Sequence, residues 1–352
     1  MSTLCSAAFM ADHHSPGITL SGTEHKILIA DANIAAEGYE LLESATLLTV
    51  PERATDSQIL DMVRDVDAIL ARTFVVSTEL IQHAAALKVV SRHGVGVDNV
   101  DVAECTRRGI AVAVTGDANS QAVAEHAIAC ILAVANRVAG ADAHVRDGQW
   151  ERNRWVGVEL YRKVMGVIGL GPIGSRTARI AQGFEMEVLA CDPYTTAERA
   201  QAVGATLVDL PALLQRADFI SIHVPLTAET RHLIGREQLA AMKPGSILVN
   251  TARGGLVDEH ALGEALVSGP LAGAALDVFK QEPIPPDHPL LSLENLLVSP
   301  HIAGQSSESM VRMAIGAADN ILRVLRGEEP SHLANPKVLE NRSRVAWTRS
   351  AT

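Results

Sequence analysis

The chain has 352 residues, of which 47% are hydrophobic and 20% charged, a composition typical of a globular protein with room for two domains. Its formal net charge of −11 argues against a general nucleic-acid or anionic-membrane partner, although a local arginine cluster would be enough for a small anionic substrate. The cysteines, at positions 5, 105, 130 and 191, fit neither a metal site nor a secreted disulfide framework. We therefore expect reduced thiols, a cytoplasmic location and no bound metal.

The first residues lack the basic and apolar regions of a signal peptide, so we expect residues 1–24 to form a mobile tail. No uninterrupted apolar run approaches the roughly 18 residues that a membrane helix needs. The sequence thus indicates no membrane partner.

From residue 26 onwards, short apolar runs alternate with amphipathic stretches. The apolar runs predict strands at 26–30, 46–50, 68–71, 88–91 and 110–114. The stretches between them predict helices at 34–43, 56–63, 78–85 and 102–108, the last one capped by Gly109. This alternation is typical of a parallel α/β domain with helices on both faces of the sheet.

A longer apolar stretch, residues 119–140, predicts one buried helix that contains Glu125 and His126. His126 is either a catalytic residue or a packed helix residue, and the sequence leaves both interpretations open. Residues 142–162 are polar and rich in arginine, which predicts an irregular connection.

The segment 163–182 organises the second domain. An apolar run at 164–168 precedes glycines at 169, 171 and 174, and a helix-compatible stretch follows at 175–182. A Gly-x-Gly-x-x-Gly pattern between a strand and a helix predicts dinucleotide binding. Gly169 allows a tight turn, Gly171 lets the backbone approach a pyrophosphate, and Gly174 lets the helix pack closely on the strand. The phosphates would meet the N-terminus of the helix.

Asp192 ends the next predicted strand, 187–191, near the spacing of about 20 residues expected for a ribose-binding carboxylate. Such a carboxylate accepts hydrogen bonds from the ribose hydroxyls of NAD and repels the 2′-phosphate of NADP. The alternative is a loop aspartate that simply precedes Pro193.

The remaining apolar runs complete a doubly wound sheet. They predict strands at 207–208, 219–223, 247–250, 273–276 and 296–299, and helices at 210–215, 236–242, 259–267 and 308–325. The chain would therefore leave its first domain near residue 119 and return near residue 300. We predict an α/β protein with two Rossmann/flavodoxin-like doubly wound parallel-sheet domains and a cleft between them. The substrate domain would comprise 25–118 and 302–334, the NAD-binding domain 119–301, and a mobile C-terminal tail 335–352.

Three charged residues follow successive predicted strands of the second domain: Arg253, Glu282 and His301. Hydride transfer between an alcohol carbon and nicotinamide needs a group that exchanges the hydroxyl proton, and the pKa of histidine suits that task. A neighbouring carboxylate favours the charged histidine and orients it. An arginine can hold a substrate carboxylate and polarise the adjacent carbonyl. The three residues together therefore predict a dehydrogenase.

The runs 250–258, 277–283 and 300–303 resemble the signatures of the D-isomer-specific 2-hydroxyacid dehydrogenases, a likeness that spans nearly all of residues 26–330. The resemblance implies NAD as cofactor and a homodimer formed largely through the NAD-binding domain. It implies Arg253 as the substrate and carbonyl binder, Glu282 as the partner of His301, and His301 as the acid/base. The cofactor contacts that it implies, beyond the three glycines and Asp192, are Pro172, Ile173, Val224, Pro225, Thr251, Ala252, Asp277 and Gly304.

Residues 91–101 are similar to the substrate loop of the 3-phosphoglycerate dehydrogenases. The backbone N–H groups of Val95 and Gly96 would bind a carboxylate. Arg72 and Arg92 would bind a second anionic group, or else be solvated surface charges.

Two departures from that pattern keep other substrates open. His93 stands where those enzymes have a small residue, and the chain ends before the regulatory domain that many of them carry. The alternatives are a hydroxypyruvate or glyoxylate reductase, or a dehydrogenase of another anionic 2-hydroxy acid such as sulfolactate. Glu282 separates the chain from the related formate dehydrogenases, which have glutamine there. An NAD(H)-sensing, corepressor-like binding protein of the same fold is the alternative from a different functional class.

Overall fold

The computed structural model describes residues 25–341 and 343–347, so the predicted N-terminal tail, Cys5 and the last five residues lie outside the described part of the chain. The chain divides into two compact units. Among the described residues, unit 1 consists of 25–118, 310–341 and 343–347, and unit 2 consists of 119–309.

Strands and helices alternate through both units, as the sequence predicts. The strands are β1 (Lys26–Ile29), β2 (Thr46–Thr49), β3 (Ala68–Ala71), β4 (Val89–Arg92), β5 (Ala111–Ala113), β6 (Val164–Ile168), β7 (Glu187–Cys191), β8 (Thr206–Leu207), β9 (Phe219–Ile222), β10 (Ile247–Asn250), β11 (Gly273–Leu276) and β12 (Leu296–Val298). The α-helices are α1 (Ala36–Leu41), α2 (Asp56–Met62), α3 (Thr78–His83), α4 (Val102–Arg107), α5 (Ser120–Ala135), α6 (Val138–Arg146), α7 (Pro172–Gln182), α8 (Ala197–Gln201), α9 (Leu210–Arg216), α10 (Arg236–Ala240), α11 (Glu259–Ser268) and α12 (Ser307–Leu325). Short 3₁₀ helices occur at Arg152–Trp155, Gly254–Leu256, Pro289–Ser292 and Pro336–Glu340.

Unit 1 is built on a five-stranded parallel sheet with the strand order β2-β1-β3-β4-β5. This is the flavodoxin-like order, in which the direction of winding reverses between β1 and β3. Strand β3 is buried at every position, as expected for a central strand that is covered on both faces. Gly109, with φ +73°, follows the end of α4 in the left-handed conformation and leads the chain into β5.

Unit 2 is built on a seven-stranded parallel sheet with the order β12-β11-β10-β9-β6-β7-β8. Counted within the unit, this is the order 3-2-1-4-5-6 of a dinucleotide-binding fold with one strand added beyond the sixth. The winding reverses between β6 and β9, so a ligand site is expected beyond the carboxyl ends of those strands. The predicted fold class, two doubly wound parallel-sheet domains, is confirmed.

The single helix predicted over residues 119–140 is wrong. Helix α5 ends at Ala135, Arg137 takes a left-handed conformation with φ 53°, and α6 then begins at Val138. The backbone N–H of Asn136 (3.0 Å) and its side-chain amide (3.1 Å) both donate to the carbonyl of Leu132 in the last turn of α5. No glycine or proline marks this break in the sequence.

The described part of the C-terminal segment is also ordered differently from the prediction, because residues 335–341 and 343–347 pack against unit 1. The side chain of Asn335 accepts a hydrogen bond from the N–H of Val112 (2.8 Å) and donates one to the carbonyl of Ile110 (2.9 Å). Val338 and Trp347 are buried. Their burial holds this segment against the sheet of unit 1.

The return to unit 1 comes later than predicted, since residues 302–309 belong to unit 2 rather than to the substrate domain. The N–H groups of Ile302 and Ala303 bond to the carboxylate of Asp277 in unit 2. The hydroxyl of Ser309 donates to the carbonyl of Gly304. These bonds hold the segment that follows His301 to the end of β11.

Cys105, Cys130 and Cys191 are free thiols. Burial raises the pKa of Cys105 and of Cys130 to about 12, so both are protonated and unreactive. Among the described residues no single helix is long and apolar enough to cross a membrane. Only α5 and α6 together have the required length and composition, and they are bent by 59° at their break.

Candidate active site

Three glycines lie in the turn between β6 and α7, and each position favours glycine for a different reason. Gly169 has φ +90°, a conformation that other residues adopt only with strain. A methyl group at Gly174 would lie 1.9 Å from the carbonyl oxygen of Gly169, so the helix can pack on the strand only without a side chain there. A methyl group at Gly171 would meet no atom within 4 Å. The protein's own packing does not require that glycine, whereas a pyrophosphate lying on an open backbone does.

Pro172 and Ile173 open helix α7 directly above this turn. Proline is favoured at the first helical position because the N–H that it lacks would have no partner there. The N-terminus of α7 thus presents the positive end of an eleven-residue helix to the open face of Gly171. This arrangement fits the phosphates of a dinucleotide.

Asp192 connects the end of β7 to the same turn. Its Oδ2 accepts a hydrogen bond from the N–H of Leu170 (2.8 Å), and its Oδ1 accepts one from the N–H of Tyr194 (2.8 Å). Each carboxylate oxygen keeps a further lone pair for a ligand hydroxyl. Asp192 is therefore fixed beside the glycine turn, in the position expected for a ribose-binding carboxylate.

The carboxyl end of β9 adjoins the glycine turn on the other side. Val224 and Pro225 follow this strand, and a methyl group at Gly169 would lie 2.7 Å from the side chain of Val224. His223 precedes them, and its Nε2 lies 2.9 Å from the hydroxyl of Ser221. Burial lowers the pKa of His223 to about 3, so this ring is neutral and structural at neutral pH.

Thr251 follows β10, the next strand in the sheet. Its hydroxyl is buried and has no hydrogen-bond partner among the described residues. Buried hydroxyls are nearly always bonded, so this group fits a polar atom of a bound cofactor. With the open glycine turn and Asp192, Thr251 completes a set of residues that suits NAD. Ala252 lies beside it and is half-buried.

Asn250 shapes the loop that presents Arg253. Its side chain accepts a hydrogen bond from the N–H of Ala252 (3.0 Å) and donates one to the carbonyl of Arg253 (2.7 Å). Gly254 follows, and a methyl group there would lie 1.9 Å from the backbone of Phe279. The loop after β10 is thereby pressed against the loop after β11, which brings Arg253 near Glu282.

Glu282 and His301 form a hydrogen-bonded pair, with 2.7 Å between Oε2 of Glu282 and Nδ1 of His301. Burial alone would raise the pKa of Glu282. The bonds from His301 and from the N–H of Phe279, together with the charge of Arg253, outweigh that effect and hold its pKa below the usual value. The carboxylate is therefore ionised and accepts the Nδ1 proton, which leaves Nε2 of His301 for a ligand. The His301 side chain is 50% exposed, so a ligand can reach it.

Asp277 lies at the end of β11 and is only 1% exposed. Its backbone carbonyl accepts the N–H of His301 (2.8 Å). Its carboxylate accepts the N–H groups of Ile302 (2.9 Å) and Ala303 (2.8 Å) and the hydroxyl of Ser299 (2.6 Å). Asp277 thus holds the backbone on both sides of the exposed histidine. Gly304 follows this segment and lies against Asn119.

The predicted substrate loop lies at the carboxyl end of the sheet in unit 1. Arg92 donates hydrogen bonds to the side chain of Asn99 (2.9 Å) and to the carbonyl of His93 (2.8 Å). The N–H groups of Val95 and Gly96 donate to no other described residue. Both are therefore available to an anionic ligand.

Arg72 lies in the neighbouring loop, which Asp31 fixes from the end of β1. The carboxylate of Asp31 accepts the N–H groups of Arg72 (2.6 Å), Thr73 (2.9 Å) and Phe74 (3.3 Å). Burial would raise the pKa of Asp31, but these bonds and the one from the Thr73 hydroxyl lower it. The side chain of Asn99 donates to the carbonyl of Phe74 (2.7 Å), which joins the Arg72 loop to the Arg92 loop.

His93 differs from the expectation that it contacts substrate. Its side chain is only 2% exposed, and Nε2 lies 3.3 Å from the carbonyl oxygen of Met310 in α12. Burial and the charge of Arg72 lower its pKa to about 4, so the ring is neutral at neutral pH. A neutral, buried imidazole offers no charge to a second anionic group.

The sequence did not predict the roles of four residues that position the site: Asp31, Asn99, Asn250 and Ser299. Asn250 is the last residue of β10, the other three lie after strands or in loops, and the side chains of Asp31, Asn99 and Asn250 bond to backbone groups, whereas that of Ser299 bonds to the carboxylate of Asp277. The only signal in the sequence is an Asp, Asn or Ser at a strand end, which is also common in ordinary turns. Asp31 acts on a loop 41 residues away, so local patterning could not identify it.

Comparison with known proteins gives one consistent result. Residues 128–303 match the family model of the D-isomer specific 2-hydroxyacid dehydrogenase NAD binding domain. The chain is 43% identical over 312 residues to a D-3-phosphoglycerate dehydrogenase of Methanocaldococcus jannaschii, which covers 88% of this chain and 59% of that protein. It is 44% identical over 290 residues to a glyoxylate reductase of Korarchaeum cryptofilum, which covers 81% of this chain and 87% of that protein.

A solved glyoxylate reductase from Paecilomyes thermophila has a similar structure, with a TM-score of 0.80 and 31% identity over 89% of this chain and 98% of that one. The chain spans less than two thirds of the length of the similar phosphoglycerate dehydrogenases, between 55% and 59% in three of them.

Proposed function

The chain belongs to the D-isomer-specific 2-hydroxyacid dehydrogenase family, and from this we propose that it interconverts a D-2-hydroxy acid and its 2-keto acid with NAD as cofactor. The observation that carries the proposal is the Glu282–His301 pair, 2.7 Å apart, with Arg253 on the adjacent loop. Strands β10, β11 and β12 are neighbours, so the three side chains share one edge of the NAD-binding sheet.

Bound NAD supplies the carbon that accepts or donates the hydride. His301 holds the proton at Nε2 and delivers it to the keto oxygen during reduction, or takes it from the hydroxyl during oxidation. Glu282 keeps the Nδ1 proton in place, so the ring has one orientation and the developing charge on the imidazolium is balanced. Arg253 binds the substrate carboxylate and polarises the carbonyl.

For the substrate we propose 3-phosphoglycerate or a close analogue. The free N–H groups of Val95 and Gly96 suit one carboxylate, and Arg72 and Arg92 suit a second anionic group such as a phosphate. The neutral ring of His93 supports the second candidate, a glyoxylate or hydroxypyruvate reductase, because it adds no charge to this loop. The relatives named glyoxylate reductase match over most of their length.

The deciding experiment measures NADH absorbance with a panel of acids. The oxidised members are phosphohydroxypyruvate, hydroxypyruvate, glyoxylate and sulfopyruvate, and 3-phosphoglycerate tests the reverse direction. We expect the highest kcat/KM with phosphohydroxypyruvate. A preference for glyoxylate or hydroxypyruvate would support the second candidate. NADH binding without turnover of any acid would contradict the enzyme and favour a sensor.

We propose in addition that the protein is a cytoplasmic homodimer joined through unit 2, with no nucleic-acid or membrane partner. Large apolar side chains are exposed in the segment after α5, namely Val138, Val145, Trp150, Val156, Val158 and Tyr161. A concentration of exposed apolar groups is typical of a protein interface. Light scattering on the intact chain tests the dimer. A monomeric mass at micromolar concentration would contradict it.

A further inference from the structure

His126 of helix α5 has no role in the mechanism above, yet it lies beside the residue that holds the catalytic loop. Its Nε2 is 3.3 Å from the hydroxyl oxygen of Ser299 and 3.8 Å from Oδ1 of Asp277. Its side chain is 24% exposed, and that of Asp277 is fully buried.

The hydrogen bonds in this group have only one consistent direction. The carboxylate of Asp277 already accepts two backbone N–H groups, and Ser299 donates its hydroxyl proton to Oδ1 at 2.6 Å. The hydroxyl of Ser299 has no second proton, so it can only accept from His126. Nε2 of His126 must therefore carry a proton, and the chain of donors runs from His126 through Ser299 to Asp277.

The carboxylate at the end of this chain holds a strained part of the backbone. His301 has φ 55°, in the left-handed region that residues other than glycine rarely adopt. Such a conformation is energetically unfavourable and persists only where surrounding bonds impose it. Asp277 supplies three of the bonds that hold it, through its carbonyl to the N–H of His301 and through its carboxylate to the N–H groups of Ile302 and Ala303. The carbonyl of Ser299 also accepts the N–H of His301 (3.1 Å).

We propose that His126 is a positioning residue for the catalytic histidine. By donating its Nε2 proton to Ser299, it fixes the Ser299 hydroxyl and with it the orientation of the buried Asp277 carboxylate. The carboxylate then keeps the backbone of residues 301–303 in the strained conformation that presents His301 to substrate. His126 does not contact the His301 ring, so its effect passes through Ser299 and Asp277.

Hydrogen exchange and kinetics of matched variants test the proposal. His126→Phe keeps an aromatic ring but removes the N–H, His126→Gln keeps an N–H donor, and Ser299→Ala removes the intermediate oxygen. Glu125→Gln is the control, because Glu125 is exposed on the same helix and bonds to Gln121 (2.7 Å) instead. Amide exchange is followed by mass spectrometry in a peptide that contains residues 301–303, without cofactor.

We expect exchange in that peptide to become about fivefold faster in His126→Phe and Ser299→Ala, as for the loss of one hydrogen bond of about 1 kcal/mol. His126→Gln and Glu125→Gln should exchange as the wild type does. In turnover per NADH-binding site, kcat should fall about tenfold in His126→Phe while the KM for NADH changes less than twofold, because the displaced group is the acid/base. His126→Gln should recover most of that kcat.

Wild-type exchange and kcat in His126→Phe would overturn the proposal. Equal losses in His126→Phe and His126→Gln would overturn it as well, because they would assign His126 to ring packing rather than proton donation. The kinetic part rests on the proposed dehydrogenase activity, but the exchange part does not. If the wild type turned over no acid, the exchange pattern alone would still decide the role of His126.

Discussion

Two histidines follow parallel strands at the carboxyl edges of the two sheets, and their surroundings separate their roles. His301, after β12 in unit 2, is half exposed and bonded to an ionised glutamate. His93, after β4 in unit 1, is 2% exposed and bonded to a backbone carbonyl, with its pKa lowered to about 4. The first can exchange a proton with a ligand, and the second stays neutral. Burial and partner, rather than residue type or position after a strand, decide which histidine does chemistry.

The same contrast extends to the loops around them. In each unit the carboxylate of an aspartate near a strand end accepts backbone N–H groups of a neighbouring loop and so fixes that loop. The aspartate is Asp31 in unit 1 and Asp277 in unit 2. In unit 1 the loop so held carries Arg72, a group suited to binding anions. In unit 2 it carries His301. We therefore expect variants of His301 to change mainly kcat and variants of Arg72 to change mainly KM.

The largest effect should come from His301→Ala. Loss of general acid–base catalysis lowers kcat by about a thousandfold, within the usual range of 10² to 10⁴. The KM for NADH should stay within a few fold, because the glycine turn and Asp192 are unchanged. Steady-state kinetics under conditions where chemistry limits the rate measure both values. A wild-type kcat in this variant would remove the distinction between the two histidines.

Arg72→Gln tests the assignment of anion recognition to unit 1. Loss of a charge-assisted hydrogen bond of about 2 kcal/mol should raise the KM for phosphohydroxypyruvate about thirtyfold. The kcat should change less than threefold, and the KM for glyoxylate, which has no second anionic group, should stay the same. Arg64→Gln, which removes an exposed arginine that pairs with Asp61, is the matched control. An equal rise in KM for both acids would assign Arg72 to the shared carboxylate instead.

Asp192→Ala should have a smaller effect, on cofactor choice alone. The carboxylate beside the glycine turn favours ribose hydroxyls and repels a 2′-phosphate, so its loss should reduce the preference for NADH over NADPH about tenfold or more. The ratio of the two kcat/KM values measures the preference. An unchanged ratio would show that a residue other than Asp192 sets the preference for NADH over NADPH.

Much of this contrast could be predicted from the sequence, because the glycine turn and the Arg253–Glu282–His301 set depend on local patterns at strand ends. The roles of Asp277 in the His301 loop and of Asp31 in the Arg72 loop could not, since their partners are distant in the chain and both residues resemble ordinary turn aspartates. The burial of His93 depends on α12, which is more than 200 residues away. The break after α5 carries no glycine or proline. The order of residues 335–341 and 343–347 depends on contacts with β5 that composition does not indicate.

The last prediction concerns the stability of unit 1, rather than activity, and the neutral state of His93. Its pKa is about 4 in the folded chain and about 6.5 when unfolded, so both states are neutral above pH 6.5 and only the unfolded state gains a proton as the pH falls below that value. Stability is therefore lost between about pH 6.5 and pH 4.

His93→Gln can still donate to the carbonyl of Met310 but cannot titrate. Urea unfolding should show similar stability for both proteins at pH 7 and a loss at pH 5 that is about 2 kcal/mol smaller in the variant. The pKa of His223 is also lowered, to about 3, so protonation of His223 in the unfolded state destabilises both proteins as the pH falls below 6.5. The stability curve of the variant should therefore be flatter than that of the wild type but not flat. Parallel curves would mean that His93 is protonated in the folded chain, and the contrast with His301 would then rest on exposure alone.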